Sequence, residues 1–287
     1  MAINPPLLKF GLTSINSGPN CDPERMVEMA RAAEKTGFDS LWAGGHPFLS
    51  ERQSRMPPSL KMLDPVVALA FVAAETRNIR LGTGILLLPQ FNPVILAKQL
   101  ASLDDLSRGR LIVGIGVGWS EHEYEVLGIP YSDRGRRADD YLSAMQALWT
   151  EDRPAYHGRF VSFHDLQAWP HTLQWPYPPI VVGGSSPGAY RRAVERGNGW
   201  FGFGMDLEET ERAIAALRRA GKRYTRPAVL GELEITVAPR VPVDGPTARR
   251  FSELGVHRLN LIPPQSADGS AAQAFIEATG RTLIGQV

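Results

Sequence analysis

The chain has one cysteine, Cys21, among 287 residues. No internal disulfide can form, and a reducing compartment suits the sequence. Charge of neither sign is in excess: 31 Lys and Arg against 30 Asp and Glu leave +1. A polybasic surface for nucleic acid or anionic lipid is therefore not expected. No stretch approaches the roughly 18 apolar residues of a membrane span. The opening MAINPPLLKFGL has no basic segment followed by a long apolar run, so no signal peptide is expected and a cytoplasmic location fits. His122, His157, His164 and His171 share no metal-ligand spacing, which argues against a metal site. Cys21 has no visible partner for nucleophilic catalysis.

What is present is a core-forming composition, 43% hydrophobic and 21% charged, with 28 glycines and 23 prolines to supply loops. Short aliphatic runs alternate with helical patterns. The predicted strands are 7–13, 40–44, 79–88, 111–117, 180–183, 199–203, 230–237 and 258–262. Helices are predicted over 22–36, 65–75, 93–106, 138–148, 189–196, 207–219, 246–254 and 271–283. Asp22-Pro23, Asp64-Pro65 and Asn92-Pro93 each place a capping residue before a proline at the first helical position. This alternation predicts an α/β fold, a (β/α)8 TIM barrel forming one domain over 1–287, with its ligand site at the C-terminal rim. Residues 150–178 break the rhythm. They read as an insertion over the barrel, too short for a core of its own, with a hairpin in YHGRFVSF. Trp169, Trp175 and Tyr177 within it either line an apolar pocket or pack the insertion down.

Four segments could carry chemistry. In GTGILLLP (82–89) small residues at a strand end either let a planar ligand approach the backbone or mark a bulge at a barrel corner. GIGVGWSEHEY (114–124) has a glycine pair after a strand but Trp119 where a dinucleotide fingerprint needs its third glycine; its glycines could equally pack the barrel's taper. In IVVGGSSPGAY (180–190) a strand runs through Gly183, Gly184, Ser185 and Ser186 into a helix, giving either an anion site or an ordinary serine cap. LWAGGHPF (41–48) puts His46 at a strand end, where an imidazole could move a proton or simply be structural. The paired acids of a barrel hydrolase are not apparent at the strand ends.

In these four segments the chain resembles the bacterial luciferase-like family of flavin- and deazaflavin-dependent oxidoreductases, and the resemblance spans most of the chain. It implies a non-proline cis peptide between Gly84 and Ile85, with Thr83, Gly84 and Ile85 forming the wall behind a cofactor ring. It places Gly116 and Ser120 at the ring's edge, the cofactor phosphate on Gly183, Gly184, Ser185 and Ser186, and His46 beside the reactive edge. Coenzyme F420, which moves hydride only, is the implied cofactor. The alternative is reduced FMN in a monooxygenase served by a separate reductase, and a non-catalytic flavin-binding relative is a further possibility. The substrate is a small organic molecule, and a homodimer is expected. Gly45 stands where the family often has an acid before the histidine, so no buried acid–imidazole dyad is expected. With Val117 in the fourth-strand motif, the family's sugar-phosphate dehydrogenases match poorly. Arg134 and Arg137 are expected to pair with Asp139 or Asp140.

Overall fold

The structure, a computed structural model, describes residues 7–52, 56–265 and 270–287. Its elements run β1 (Lys9–Thr13), α1 (Pro23–Thr36), β2 (Ser40–Ala43), α2 (Pro65–Glu75), β3 (Arg80–Thr83), β4 (Leu86–Leu87), α3 (Pro93–Leu106), β5 (Leu111–Gly116), α4 (Glu121–Val126) and α5 (Arg134–Thr150). They continue with β6 (Tyr156–His157), β7 (Ser162–Phe163), β8 (Ile180–Gly183), α6 (Pro187–Arg196), β9 (Gly199–Met205), α7 (Leu207–Arg223), β10 (Glu234–Pro239), α8 (Gly245–Leu254), β11 (Arg258–Leu261) and α9 (Ser270–Thr282). Eight strands pair in the order β3-β2-β1-β11-β10-β9-β8-β5, and the β3–β5 pairing closes the ring. The ladders between these barrel strands are parallel, so all eight C-terminal ends face one mouth. The predicted (β/α)8 barrel is the fold.

The three helix starts marked by a capping residue before proline are where the sequence puts them, whereas α5 starts at Arg134, ahead of the expected 138, and α6 at Pro187, ahead of 189. The Asp22 side chain accepts from the Arg25 amide, Asp64 from Val66 and Val67, and Asn92 from Val94 and Ile95. Each cap satisfies amides that the first helical turn leaves open. At the other end of α2, the buried Arg110 guanidinium donates to the carbonyls of Ala73, Thr76 and Ile79. The barrel interior holds Trp42, Ile112, Val181, Phe201 and Ala238, with Trp42 stacked on Phe201 at 5.6 Å and 7°. A Cβ on Gly82 would lie 2.4 Å from the Trp42 ring, so that glycine makes room for the indole. At the closed end of the barrel the buried Arg258 pairs with Asp39 at 2.7 Å and with Glu234.

Three expectations are corrected. The predicted strand 79–88 is split: β3 ends at Thr83, and the two-residue β4 resumes beyond Gly84–Ile85. The predicted strand at 230–237 starts instead at Glu234, because Ala228–Leu230 forms a 3-10 turn ended by Gly231 at φ 60°. The insertion does not lie over the mouth. Its hairpin, with Tyr156 opposite Phe163, packs against α5 through Asp140, which accepts from the Tyr156 hydroxyl and the Phe160 amide. Trp169 then meets α3 through Lys98, and Gln174 reaches the closed end, bonding Asp104 and the Leu111 carbonyl. A chain leaving the C-terminus of α5 is already at the far end from the mouth, which is why it packs there. Tyr177 packs on Trp149, Trp169 stacks on His171, and Trp175 is 90% exposed. The three aromatics line no common pocket.

Candidate active site

Strands β2, β3, β5 and β8 are neighbours in the barrel, so the segments leaving their ends form one arc of the mouth. The centre of that arc is the step after β3. The Gly84–Ile85 peptide is cis, as the resemblance implies, and the Gly84 amide donates to the Ala43 carbonyl at 2.7 Å. A Cβ on Gly116 would fall 2.0 Å from Ile85 Cδ1, and one on Gly183 2.7 Å from it. On Gly114 it would lie 1.9 Å from the Thr83 carbonyl oxygen, and on Gly44 2.2 Å from that of Gly84. These glycines therefore seat the Gly84–Ile85 step against β2, β5 and β8. Their missing side chains are filled by protein, and the surface left at the mouth is the half-buried step itself.

At the β2 end of the arc the sequence expectation fails. His46 Nδ1 lies 2.6 Å from Glu123 Oε1, with side-chain exposures of 13% and 2%. A buried acid–imidazole dyad is present after all. Its acid comes from α4, 77 positions along the chain, and not from position 45. The other carboxylate oxygen, Oε2, accepts from Gln90 Nε2 at 2.8 Å. The Trp119 ring packs edge-on against the imidazole at 5.6 Å. A second link joins the same two segments, Ser50 Oγ to His122 Nδ1 at 2.6 Å. Neither Glu123 nor Gln90 was legible as a site residue: α4 is six residues of EHEYEV without an apolar period, and Gln90 lies in the short 3-10 turn Leu88–Gln90.

At the β8 end, Gly184, Ser185 and Ser186 are exposed and lead into α6. Trp200 Nε1 donates to the Gly184 carbonyl at 2.9 Å. In a trans peptide the carbonyl and the next amide point oppositely, so the Ser185 N–H is turned away from the indole. Gly184 has φ 112°, a conformation glycine adopts freely. Ser186 Oγ accepts from the Ala189 amide at 3.2 Å, so in this state the serine caps its helix.

Two expected ring contacts have a supporting place instead. Thr83 is fully buried, and its hydroxyl both donates to the Gly114 carbonyl (2.8 Å) and accepts from the Gly114 amide (2.7 Å), clamping β3 to β5. Ser120 is also fully buried and caps α4 by accepting from the Glu123 amide at 3.4 Å. Side chains so placed act through the backbone they hold. Tyr124 and Tyr131 brace the same loop through the Val117 and Trp119 carbonyls. Burial pushes the Tyr124 hydroxyl well above its ordinary pKa, so it remains a donor. Arg134 and Arg137 do not pair with Asp139 or Asp140. They bond the Tyr131 carbonyl and the Tyr141 hydroxyl, while Asp139 holds Arg191 and Arg192. Cys21 is buried with its pKa raised by desolvation, which keeps it a thiol. Among the described residues no cluster of three His, Cys, Asp or Glu could hold a metal, and no helix is long and apolar enough to cross a membrane.

Residues 8–274 match the luciferase-like monooxygenase family. The chain is 31% identical over 280 residues to an uncharacterized protein of Mycobacterium tuberculosis (strain ATCC 25618 / H37Rv), covering 92% of this chain and 95% of that one. It is 29% identical over 215 residues to the FMNH2-dependent dimethylsulfone monooxygenase of Pseudomonas putida, covering 72% of this chain and 56% of that enzyme. Its fold also matches an F420-dependent secondary alcohol dehydrogenase, solved with an F420-acetone adduct, at a TM-score of 0.77 and 16% identity over 98% of this chain and 99% of that one. Relatives and structural neighbours thus include both FMNH2 and F420 enzymes. With its closed parallel barrel and the cis step after β3, this chain belongs to the luciferase-like family of flavin- and F420-dependent oxidoreductases and monooxygenases.

Proposed function

We propose that the chain carries coenzyme F420 at its barrel mouth and catalyses hydride transfer to or from a small organic substrate. The observation that carries this reading is the pairing of His46 with Glu123 at one end of an arc whose other end is the exposed Gly184–Ser186 loop. Between them lies the Gly84–Ile85 step, a flat backbone surface suited to a ring. The bound cofactor would supply the hydride acceptor or donor. The protein's part is to hold, orient and manage the accompanying proton. The Ser185 amide and the Ser185 and Ser186 hydroxyls, with Gly183 and Gly184 allowing close approach, would hold the cofactor phosphate. Gly84, Ile85 and Gly116 would support the ring, with Thr83 and Ser120 fixing the backbone behind it. His46 would exchange the proton through Nε2, since Nδ1 is committed to Glu123.

A second reading, oxygenation with reduced FMN delivered by a separate reductase, is favoured by the similarity to the dimethylsulfone monooxygenase. A homodimer and a cytoplasmic location belong to either reading. Helix α2 is apolar over most of its surface and leaves Val67 (67%) and Phe71 (45%) exposed, as Ile95 (60%) is on α3. The deciding experiment is mass spectrometry of ligand released from protein made in a host that makes both cofactors, with fluorescence titrations of F420 and FMN into stripped protein. Retained F420 and tighter F420 binding are expected. FMN alone would favour the second reading, and binding of neither would overturn both.

A further inference from the structure

The structure assigns Glu123 as the positioning residue for His46, fixing which ring nitrogen carries the proton. This rests on the reading of His46 as the proton-handling group. Three contacts carry it. Glu123 Oε1 is 2.6 Å from His46 Nδ1, Gln90 Nε2 donates to Oε2 at 2.8 Å, and the Ser120 hydroxyl holds the Glu123 amide at the start of α4. Gln90 offers the carboxylate only a donor there, so Oε2 must accept. A carboxylate has only acceptor oxygens, so Oε1, the oxygen facing His46, accepts from Nδ1–H. Gln90 keeps this orientation although its own Oε1 is buried without a partner. The neutral imidazole is therefore held as the Nδ1–H tautomer, with a lone pair on Nε2. Nε2 is the ring nitrogen with no protein partner among the described residues, and the imidazole retains 13% exposure. In free histidine the opposite tautomer predominates, so the carboxylate has a defined task. A contact that merely tied the loop after β2 to α4 would not care which nitrogen bears hydrogen. The Ser50–His122 link already provides such a tie.

The test is the nitrogen-15 and long-range proton–nitrogen spectrum of the His46 ring in full-length protein without cofactor, followed with rising pH until its signals no longer change. A His46→Gln control assigns its signals among the six histidines. Nδ1–H is expected in the unsubstituted protein. In Glu123→Gln the Nε2–H form should become appreciable, while the circular dichroism spectrum stays unchanged. Turnover of Glu123→Gln should fall about 10- to 100-fold, the scale for losing a partner that orients a histidine, at unchanged cofactor Kd. Glu123→Asp, which keeps the charge, should recover part of that loss. Nε2–H in the unsubstituted protein would overturn the assignment, as would a tautomer indifferent to Glu123→Gln. The cofactor proposal fails separately: a protein that binds neither F420 nor FMN could still show the Nδ1–H ring.

Discussion

Trp200, fully buried in the barrel wall, donates its indole N–H to the carbonyl of Gly184, the exposed glycine opening the loop before α6. The core thereby fixes the outward face of a surface loop. Trp200→Phe should remove this bond and leave a small void, lowering stability by about 1–3 kcal/mol. If the loop grips a phosphate, cofactor affinity should also fall several-fold. Calorimetric unfolding and cofactor titration of the same sample check this, and undiminished affinity would show the loop's set to be independent of the indole.

The two serines of that loop should separate. Ser186 caps α6, so Ser186→Ala should cost about 1 kcal/mol of stability through the lost cap. Ser185 is exposed, and no cap rests on it. Ser185→Ala should leave the melting temperature unchanged and weaken only cofactor binding, by about 1 kcal/mol. These two positions test the loop better than Gly184, where a side chain would be strained at φ 112° regardless of any ligand.

His46→Ala should slow turnover by about 10- to 100-fold or more, with little change in cofactor Kd because the proposed phosphate grip is across the mouth. Single-turnover rates measured beside equilibrium titrations distinguish the two effects. Normal rates and affinity would reduce His46 to a structural group.

Acid stability should trace to the closed end of the barrel. Burial pushes the Asp39 and Glu234 carboxyls up, but the Arg258 charge outweighs it and holds both below the ordinary carboxylate range. A depressed folded-state pKa contributes stability above the unfolded value of about 4, and that contribution is lost as pH falls through the folded value. The melting temperature should therefore drop on acidification below about pH 4. Arg258→Met should cost about 1–3 kcal/mol at neutral pH by taking the guanidinium from two half-buried carboxylates, of which Glu234 keeps only Lys9. Its melting temperature should fall less on acidification, or even rise, and a parallel pH profile would place the acid sensitivity elsewhere.

Phe71→Glu, on the exposed face of α2, should shift a homodimer to monomer in sedimentation velocity while preserving the fold. A dimer that survives the substitution would have to use another face.

Local chemistry in the sequence determined most of the barrel. Aspartate or asparagine before proline starts a helix at Asp22, Asp64 and Asn92, because the cap and the proline act within one turn. The glycine-rich strand ends located the mouth, since only a parallel barrel brings Gly44, Gly84, Gly116 and Gly183 to one rim. What the glycines are for was not legible. A Cβ on Gly116 or Gly183 would meet Ile85, one on Gly44 the Gly84 carbonyl and one on Gly84 the Trp42 ring, a fact of three-dimensional packing. The insertion's place on the outer wall likewise follows from where α5 ends in space. The absence of an acid at Gly45 was read correctly as sequence and misled as chemistry. An imidazole takes its partner from whatever carboxylate lies within hydrogen-bond reach, and barrel closure brings α4 beside the loop after β2. Neighbouring positions fix backbone conformation, but the pairing of His46 with Glu123, 77 residues apart, exists only once β3 and β5 have joined.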